Sequence, residues 1–188
     1  RVLLPPGCGE PVALVGEVCR QADRLQDLTL MGGIHLGDYP FARPEVKALR
    51  FATWHMSPRL EDAWRRGRVE LVPMRYFDIV TGFAAGGPWA PDCVLVHVAP
   101  PDARGYVSLG VAVGVTLPAA RHAPLVIAQV NPNMPRTFGN GCRPVSWTCS
   151  VIPVAIAAGV SGISRSSGAA AAAGATRSPS GRACSRPS

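Results

Sequence analysis

Long apolar runs are missing from this sequence of 188 residues. No stretch reaches the roughly 18 consecutive apolar residues that a transmembrane helix requires, so we expect no membrane partner. The first residues also lack a basic region followed by an apolar segment and a cleavage site. We therefore predict that the chain has no signal peptide and is cytoplasmic. Because the sequence has no initiator Met, we interpret it as a fragment.

Cysteines spaced as zinc ligands are missing too. The six cysteines are scattered, and none forms the Cys-x-x-Cys pair that zinc sites usually need. The four histidines show no ligand spacing, so we predict no metal. Scattered cysteines in a chain of this length are typical of a reduced compartment, where they serve as small buried apolar residues. His97 lies in an apolar stretch and is interpreted as a core residue.

Three familiar functional motifs do not occur: the Gly-x-Ser-x-Gly elbow, the Walker loop and the dinucleotide-binding Gly-x-Gly-x-x-Gly. A concentrated basic surface is also absent, although the net charge is +7. Residues 145–188 hold four arginines and no acid, which leaves +3 (7 minus 4) for residues 1–144. The one dense basic stretch, 64–68, follows two acidic residues and is typical of a solvated helix face. We expect no nucleic acid partner.

What the sequence does contain is alternation of strands and helices. A glycine turn at 5–10 leads into Pro11, which suits a first helical position, and apolar residues then recur at helical spacing. Such a helix start can hold an anion. Apolar stretches at 93–99 and 124–130 are continuous, which is typical of strands buried on both faces. The sequence predicts an α/β layered sheet with ligands at its strand ends.

Two motifs follow these buried strands. The first, "APPDARGYVSLG" at 99–110, predicts either a plain tight turn or a specifically shaped loop. The second, "NPNMPRT" at 131–137, gathers amides, a hydroxyl and a guanidinium. Arg136 could clamp a substrate carboxylate or phosphate, or it could pair with an acidic side chain of the protein. Both interpretations stay open at the level of sequence.

Residues 145–188 break these patterns. Only ten residue types occur there, and Ser, Ala and Gly make up 25 of the 44 positions. Such a composition cannot form a packed core, apart from a weak apolar piece at 151–160. We therefore divide the chain into a domain at 1–144 and a low-complexity, disordered tail at 145–188.

The two motifs together resemble the N-terminal domain of the acetyl-CoA hydrolase/transferase family, which includes 4-hydroxybutyrate and succinyl-CoA:acetate CoA-transferases. "GCGEPVAL" at 7–14 resembles the opening glycine turn of that domain, and "GRVELVPMRYFDIV" resembles its middle. The resemblance covers roughly residues 5–144. Ala99 stands where the family usually has serine.

The resemblance implies an open layered sheet of the CoA-transferase (NagB/RpiA-like) type, here as the N-terminal domain only. It implies an enzyme that moves CoA between a short-chain acyl-CoA and a carboxylate such as acetate, through a glutamyl-CoA intermediate. Coenzyme A then enters as the acyl-CoA substrate. The family's nucleophilic glutamate lies in a C-terminal domain, and the last acid of this chain is Asp102. The chain alone is therefore expected to be inactive.

Within that framework the N-terminal domain would supply part of the acyl or carboxylate pocket. Our candidates for substrate binding are Gly7, Gly9, Glu10, Asn131 and Arg136. The expected partners are an acyl-CoA, a small carboxylate and a missing C-terminal domain or subunit, with self-association as a further option. Two other interpretations stay open: a non-catalytic subunit that binds CoA or an acyl acid beside a separate C-terminal partner, and an inactive truncated gene product.

The break in composition suggests a change of reading frame. The chain begins the family's usual continuation at Pro144 to Ser146 and then departs from it. With G/C-ending codons, one base inserted before the Trp147 codon lets the new frame encode Leu-Asp-Val-Leu and an acidic, turn-rich segment. We therefore interpret residues from about 146 onward as out-of-frame translation.

Overall fold

The structure, a computed structural model, describes residues 1–145 and 150–153. Seven strands form one sheet in the order β4-β3-β2-β1-β5-β7-β9, and every neighbouring pair in it is parallel. These strands are Val2–Leu3 (β1), Leu28–Gly32 (β2), Leu49–Thr53 (β3), Val69–Leu71 (β4), Cys93–Val98 (β5), Leu125–Val130 (β7) and Ser150–Pro153 (β9). A small antiparallel ladder joins Tyr106–Ser108 (β6) to Cys142–Pro144 (β8).

The described part of the chain contains four α-helices, which cover the sheet: Val12–Arg20 (α1), Glu61–Arg65 (α2), Tyr76–Gly82 (α3) and Thr116–His122 (α4). Helices α1 and α2 pack on one face, and α3 and α4 pack on the other. Successive residues of β5 alternate between the two resulting cores, since Val94 and Val96 join one and Leu95 joins the other. This double burial explains the continuous apolar sequence of the central strands. The predicted α/β layered sheet is confirmed.

The direction of the chain across the sheet reverses beside β1. Strands β2, β3 and β4 are added on one side of β1, and β5, β7 and β9 on the other. In open parallel sheets the loops at such a reversal separate, and ligands bind in the crevice outside the carboxyl ends of the two strands. The turn that begins at Pro5 and the loop that begins at Ala99 border this crevice.

Two details differ from the sequence-based expectation. The stretch "VELVPM" at 69–74 predicts a strand through residue 74, but strand β4 ends at Leu71. Residues 150–153 form β9, although the whole segment 145–188 was predicted to be disordered. The open edge of β7 offers unpaired backbone groups, and "SVIP" contains two β-branched residues, which favour a strand. Residues 146–149 and 154–188 lie outside the described residues, so the remainder of the tail prediction and the domain boundary at 144 stay predictions.

Candidate functional site

The turn after β1 is shaped by two glycines. Gly7 has φ of +60° and donates its N–H to the Ile34 carbonyl oxygen at 2.8 Å, which ties the turn to the loop after β2. A Cβ added at Gly9 would overlap the Cβ of Ala112 in the loop that follows β6. Any larger residue at Gly9 would therefore push these loops apart. The turn is therefore fixed between the loop after β2 and the loop after β6.

Glu10 ends this turn and is largely buried. Its Oε1 lies 2.7 Å from His35 Nδ1, and its Oε2 accepts a hydrogen bond from the Gly37 N–H at 3.3 Å. The side chains of His35 and Glu10 are only 3% and 11% exposed. Among the residues that the structure describes, none is a hydrogen-bond partner of the buried His35 Nε2. A carboxylate buried in this way needs its partners, because an isolated charge in the interior is strongly unfavourable.

The N-terminus of α1 is capped by a side chain from β7, about 115 residues further along the sequence. Gln129 Oε1 on β7 accepts hydrogen bonds from the N–H groups of Ala13 at 3.0 Å and Leu14 at 3.3 Å. Pro11 precedes the helix and provides no side-chain cap. Two of the amides that the sequence suggested for anion binding are therefore already occupied, because Gln129 satisfies them internally.

His97 adjoins this cap. Its Nε2 lies 3.4 Å from Gln129 Nε2, and its buried Nδ1 has no geometrically aligned hydrogen bond within residues 1–145 and 150–153. Burial lowers the pKa of His97, and the Glu10 backbone carbonyl opposes that effect only in part. His97 is thus a partly buried strand residue beside a capping amide, close to the core role predicted for it.

Arg136 clamps a carboxylate that belongs to the chain itself. Its NH2 donates to Asp102 Oδ2 at 2.7 Å and to the Tyr106 carbonyl oxygen at 2.9 Å. Its NH1 donates to the Pro100 carbonyl oxygen at 3.0 Å. Of the two interpretations left open by the sequence, the structure supports pairing within the protein. The guanidinium fastens the end of the second motif to the loop of the first.

Asp102 organises that loop from within. Its Oδ1 accepts hydrogen bonds from the N–H groups of Tyr106 at 2.8 Å and Arg104 at 3.0 Å. Its pKa is lowered, chiefly by the Tyr106 backbone N–H, then by the Arg104 N–H and the charge of Arg136. A carboxylate with this many donors is held in its charged form.

Asn131 serves a similar local purpose. Its Oδ1 accepts the N–H of Asn133 at 2.9 Å, and its own N–H donates to the Val98 carbonyl oxygen at 2.9 Å. This is a side-chain-closed turn at the carboxyl end of β7, of the kind Asn commonly forms. The oxygen of the Asn131 amide is therefore engaged in the turn.

Ser108 and Thr137 form a second set of hydrogen bonds between the two motifs, in addition to those of Arg136. This set was not predicted from the sequence. Ser108 Oγ accepts the N–H groups of Gly110 at 3.1 Å and Thr137 at 3.2 Å, and it donates to the Thr137 carbonyl oxygen at 2.9 Å. Thr137 Oγ1 in turn donates to the Gly110 carbonyl oxygen at 2.9 Å. Gly110 has φ of +57°, and a Cβ there would overlap the sulfur of Met134. The co-occurrence of Ser108, Gly110 and Thr137 in two strand-end motifs was the available signal.

The predicted site residues thus form two groups at one edge of the sheet. Gly7, Gly9 and Glu10 belong to the turn after β1. Asn131 and Arg136 belong to the loop after β7, which Arg136 joins by hydrogen bonds to the loop after β5. The contact of Gly9 with Ala112 brings the turn against the loop after β6. We call the first group, with His35, the Glu10 group and the second, with Asp102, the Arg136 group.

A cavity of about 270 Å³ opens beside the Glu10 group. It lies between α1 and the segment that follows β2, and Glu10, Val12, Val15, Gly16, Phe41 and Arg43 are among the residues that line it. Within residues 1–145 and 150–153, no three His, Cys, Asp or Glu side chains are grouped as metal ligands. No helix in that part of the chain combines the length and apolar character needed to cross a membrane.

Residues 1–154 match the sequence model of the acetyl-CoA hydrolase/transferase N-terminal domain. The chain belongs to this family. Its similarity to 4-hydroxybutyrate coenzyme A transferase from Clostridium kluyveri is 32% identity over 147 residues, which covers 78% of this chain and 34% of that protein. Its similarity to succinyl-CoA:acetate/propanoyl-CoA:succinate CoA transferase from Fasciola hepatica is 30% over 141 residues, covering 74% and 29%. The chain spans about a third of the length of the curated relatives it matches.

Solved structures agree with this family assignment in their fold. RipA from Yersinia pestis matches with a TM-score of 0.73 at 22% identity, covering 82% of this chain and 38% of RipA. The 4-hydroxybutyrate CoA-transferase from Porphyromonas gingivalis matches with a TM-score of 0.61 at 25% identity, covering 81% and 34%. A chain of the decarboxylase AibA/AibB matches with a TM-score of 0.56 at 18% identity, and here 76% of that chain is covered. The resemblance and the CoA-transferase-type fold drawn from the sequence are confirmed.

Proposed function

We propose that this chain is the N-terminal half of an acyl-CoA hydrolase or CoA-transferase. The observation that carries the proposal is the family match over residues 1–154, together with relatives that are named as CoA transferases. The substrates would be a short-chain acyl-CoA and a small carboxylate such as acetate. Coenzyme A would enter as part of the acyl-CoA substrate.

The chemistry would be nucleophilic catalysis by a carboxylate that lies outside this chain. A glutamate oxygen attacks the thioester carbon, the C–S bond breaks, and CoA leaves as a thiolate while an acyl-glutamyl anhydride forms. The thiolate then attacks the glutamyl carbonyl carbon, which releases the first carboxylate and leaves a glutamyl-CoA thioester. An acceptor carboxylate then attacks the glutamyl carbonyl carbon and expels the CoA thiolate, and the thiolate attacks the acceptor's carbonyl carbon in the new anhydride, which forms the product acyl-CoA and frees the glutamate. Attack by water on the glutamyl-CoA thioester instead expels CoA and gives hydrolysis.

The two carboxylates at this end of the sheet, Glu10 and Asp102, are both engaged in contacts within the protein, which supports a nucleophile that lies outside this chain. Glu10 is only 11% exposed and is matched by His35 and the Gly37 N–H. Asp102 is matched by Arg136 and by two backbone N–H groups. Both carboxylates hold loops in place, and attack on a thioester would require either of them to leave its partners.

The five candidate residues would then act in two ways. We propose that Gly7, Gly9 and Glu10 border the substrate crevice directly, because their turn lies beside the chain reversal. For Asn131 and Arg136 we propose a positioning role, because their side-chain bonds are made to the protein's own turn and loop.

A C-terminal domain or subunit is the proposed partner, and it would cover the carboxyl edge of the sheet. Large apolar side chains are exposed in the segments that follow several strands, namely Ile34, Leu36, Met56, Tyr76, Phe77, Val111 and Phe138. Exposed apolar residues that concentrate in one region often mark an interaction surface.

Reconstitution tests this proposal. The chain is co-purified with the C-terminal two thirds of the Clostridium kluyveri relative, and CoA transfer from acetyl-CoA to 4-hydroxybutyrate is measured. We expect activity from the pair and none from either piece alone. Turnover by this chain alone would contradict a nucleophile outside it. A soluble, associated pair that neither binds CoA nor transfers it would contradict the proposed activity.

A second candidate function is a non-catalytic subunit that binds CoA or an acyl acid beside a separately encoded partner. The structural match covers 76% of one AibA/AibB chain, so a fold of this size can make up most of a separate chain. This observation favours the separate-subunit candidate. Calorimetric titration of the purified chain with CoA and acetyl-CoA separates this candidate from an inactive gene product. Specific binding by a folded chain supports the subunit. A folded chain that binds neither CoA nor acetyl-CoA would contradict it.

A further inference from the structure

The orientation of the Gln129 side-chain amide is fixed by the helix that it caps. Its Oε1 accepts the N–H groups of Ala13 at 3.0 Å and Leu14 at 3.3 Å. Backbone N–H groups only donate, so the oxygen end of the amide must face α1 and the NH₂ end must face away from it. Gln129 is buried, so both ends of its amide depend on partners within the protein.

His97 is the side chain that the NH₂ end of Gln129 meets. The two residues are paired in register on β5 and β7, and His97 Nε2 lies 3.4 Å from Gln129 Nε2. An amide NH₂ group has only protons to offer. A hydrogen bond at this contact therefore requires His97 Nε2 to be the acceptor, which leaves the ring proton on Nδ1. The contacts of Gln129 thus select one of the two neutral tautomers of His97.

The other nitrogen of the His97 ring points into the protein. Nδ1 is buried, and burial lowers the pKa of His97. The Glu10 backbone carbonyl opposes that effect, as an acceptor close to a ring proton does. Glu10 ends the turn after β1, and Ala13 lies in the first turn of α1. His97 and Gln129 together therefore act on both ends of the junction between this turn and the helix.

The charged groups around this junction are already paired. The charged side chains of the turn and of α1 are Glu10, Glu17 and Arg20. Glu10 lies 2.7 Å from His35 Nδ1, and Glu17 forms an ion pair with Arg20. Strand β7 and the loop at 109–115 contain no ionisable residue. In the part of the chain that the structure describes, no charged side chain is among the causes of the His97 pKa shift.

Protonation of His97 would place two donors against each other. The imidazolium carries a proton on each nitrogen, so its Nε2 can no longer accept from Gln129. Relief requires the Gln129 amide to turn end over end, which presents Oε1 to the ring. The NH₂ group would then face the N–H groups of Ala13 and Leu14, and the first turn of α1 would lose its cap.

We propose that His97 is a positioning residue for the junction between the turn and α1: Gln129 holds it as the Nδ1–H tautomer, and a proton taken up at Nε2 uncaps the helix. The state of the ring then sets how firmly Gly7, Gly9 and Glu10 are held beside the crevice. This last link rests on the proposed function, whereas the tautomer and the cap do not depend on it.

NMR of the full chain, labelled with ¹⁵N and ¹³C in histidine, tests the tautomer. Long-range correlations between ring nitrogens and ring protons show which nitrogen carries the proton. At about pH 8, where a histidine with the ordinary pKa of about 6.5 is neutral, we expect the Nδ1–H form of His97 to exceed the Nε2–H form at least tenfold. The exposed His122 is the internal control, because free imidazole rings favour Nε2–H. A ring of His97 that resembles His122 would overturn the proposal.

Hydrogen exchange tests the coupling to the helix. The protection factors of the Ala13 and Leu14 amides are compared with those of the α4 amides as the pH is lowered. We expect the two capped amides to lose protection at least tenfold more than α4, with the midpoint of the His97 ring titration. Equal losses in α1 and α4, once the ring has titrated, would overturn the coupling.

Two substitutions of His97 separate its acceptor from its charge. H97Q can accept from Gln129 but takes up no proton, so the selective loss of protection at low pH should disappear. H97L offers no acceptor, so it should lower the protection of the same amides about threefold or more even at neutral pH. H122Q is the matched control and should behave as wild type. A response to pH that persists in H97Q would belong to Glu10 and His35 and would contradict the role of His97.

Reconstitution separates this inference from the proposed function. In a pair that transfers CoA, the KM for the carboxylate acceptor should rise as the pH falls through the His97 pKa, and H97Q should remove that rise. If the pair is active but both chains show the same pH dependence of KM, the link to the crevice is wrong and the function stands. If the tautomer and the coupling are found but the pair shows no CoA chemistry, the function is wrong and the positioning role stands.

Discussion

At the scale of single residues, the most informative contacts are those of charged groups that serve the protein itself. Arg136 satisfies two backbone carbonyls and one carboxylate, and Asp102 satisfies two backbone amides in addition to that guanidinium. Both side chains are about three-quarters buried. Such a set suits arginine, because its guanidinium presents several donors in a rigid fork, whereas lysine offers a single ammonium group.

Replacement of Arg136 should destabilise the fold. We expect R136A to lower the free energy of unfolding by about 1–3 kcal/mol, because buried acceptors lose their donors. R136K keeps the charge but lacks the fork, so it should recover only part of the loss. Urea denaturation followed by circular dichroism measures the difference. R20A is the matched control, because Arg20 belongs to an exposed ion pair with Glu17 and should cost less than about 1 kcal/mol.

Asp102 should make the fold sensitive to acid. Its pKa is lowered in the folded state, so the folded protein binds fewer protons than the unfolded chain at acidic pH. The associated stability is present above the unfolded-state pKa of about 3.9 and is lost as the pH falls toward the folded pKa. Urea midpoints for wild type and D102N should therefore converge as the pH falls below about 4. A constant gap between them down to pH 2 would contradict this assignment.

His97 should titrate below the ordinary histidine range. Burial disfavours its charged form, so stability should fall as the pH drops through about 6.5 and level off below the folded pKa. The ring resonances of His97 in a pH titration by NMR report this pKa directly. A value above 6.5 would show that its environment stabilises the imidazolium instead.

At the scale of secondary-structure elements, α1 depends on β7 for its first turn. Gln129 Oε1 takes the place of a local N-cap, since Pro11 has no suitable side chain. Helix α1 also carries Gly16 in its interior, which lowers its intrinsic stability. The helix that borders the Glu10 group is therefore held by tertiary contacts more than by its own sequence.

Removal of the Gln129 cap should loosen α1 selectively. We expect Q129M, which keeps a similar shape, to lower the free energy of unfolding by about 1–3 kcal/mol. Hydrogen exchange of the Ala13 and Leu14 amides should accelerate, while the amides of α4 keep the protection expected from the global change alone. Uniform acceleration across both helices would show that the cap has no local effect.

Substitution of Gly16 by alanine should have the opposite sign. G16A removes helix-interior glycine at a position where the new methyl group meets open space, so we expect stabilisation by about 0.5–1 kcal/mol. Urea denaturation beside wild type measures it. A loss of stability would show that the backbone at Gly16 requires glycine.

The elements also show which parts of the structure sequence patterns can predict. Strands β5 and β7 were predictable because burial on both faces leaves a continuous apolar run. Strand β1 was missed, because a strand of two residues is too short to show a pattern of alternating apolar and polar residues. Its place between β2 and β5 depends on contacts with residues far along the chain. Gln129 was missed as a cap because its partners lie about 115 residues away along the chain. The Arg136 role could only be left open, because a guanidinium suits a substrate carboxylate and Asp102 equally well.

At the scale of the whole molecule, the amino-acid composition changes abruptly at residue 145, whereas the sheet and the family match continue beyond that residue. The family match extends to residue 154, eight residues past the point where a frame change was inferred, and β9 continues the sheet within that interval. The frame change stays a prediction. We expect the DNA that encodes residues beyond about 146, read in the next frame, to specify an α/β domain with a glutamate nucleophile. Frequent stop codons in that frame would contradict it.

The position of β1 has a consequence for the order in which the sheet can assemble during synthesis. Strands β1 to β4 are complete once the ribosome has passed Leu71, and their parallel pairs can form in the order in which they emerge. The other edge of β1 must wait for Cys93, its partner in β5, about 90 residues after Val2. Until then the nascent chain presents a central strand with one unpaired edge, flanked by apolar surface that will later be the middle of the core. A chaperone that recognises short extended apolar segments could therefore bind the nascent chain after β1 has emerged and before β5 has emerged.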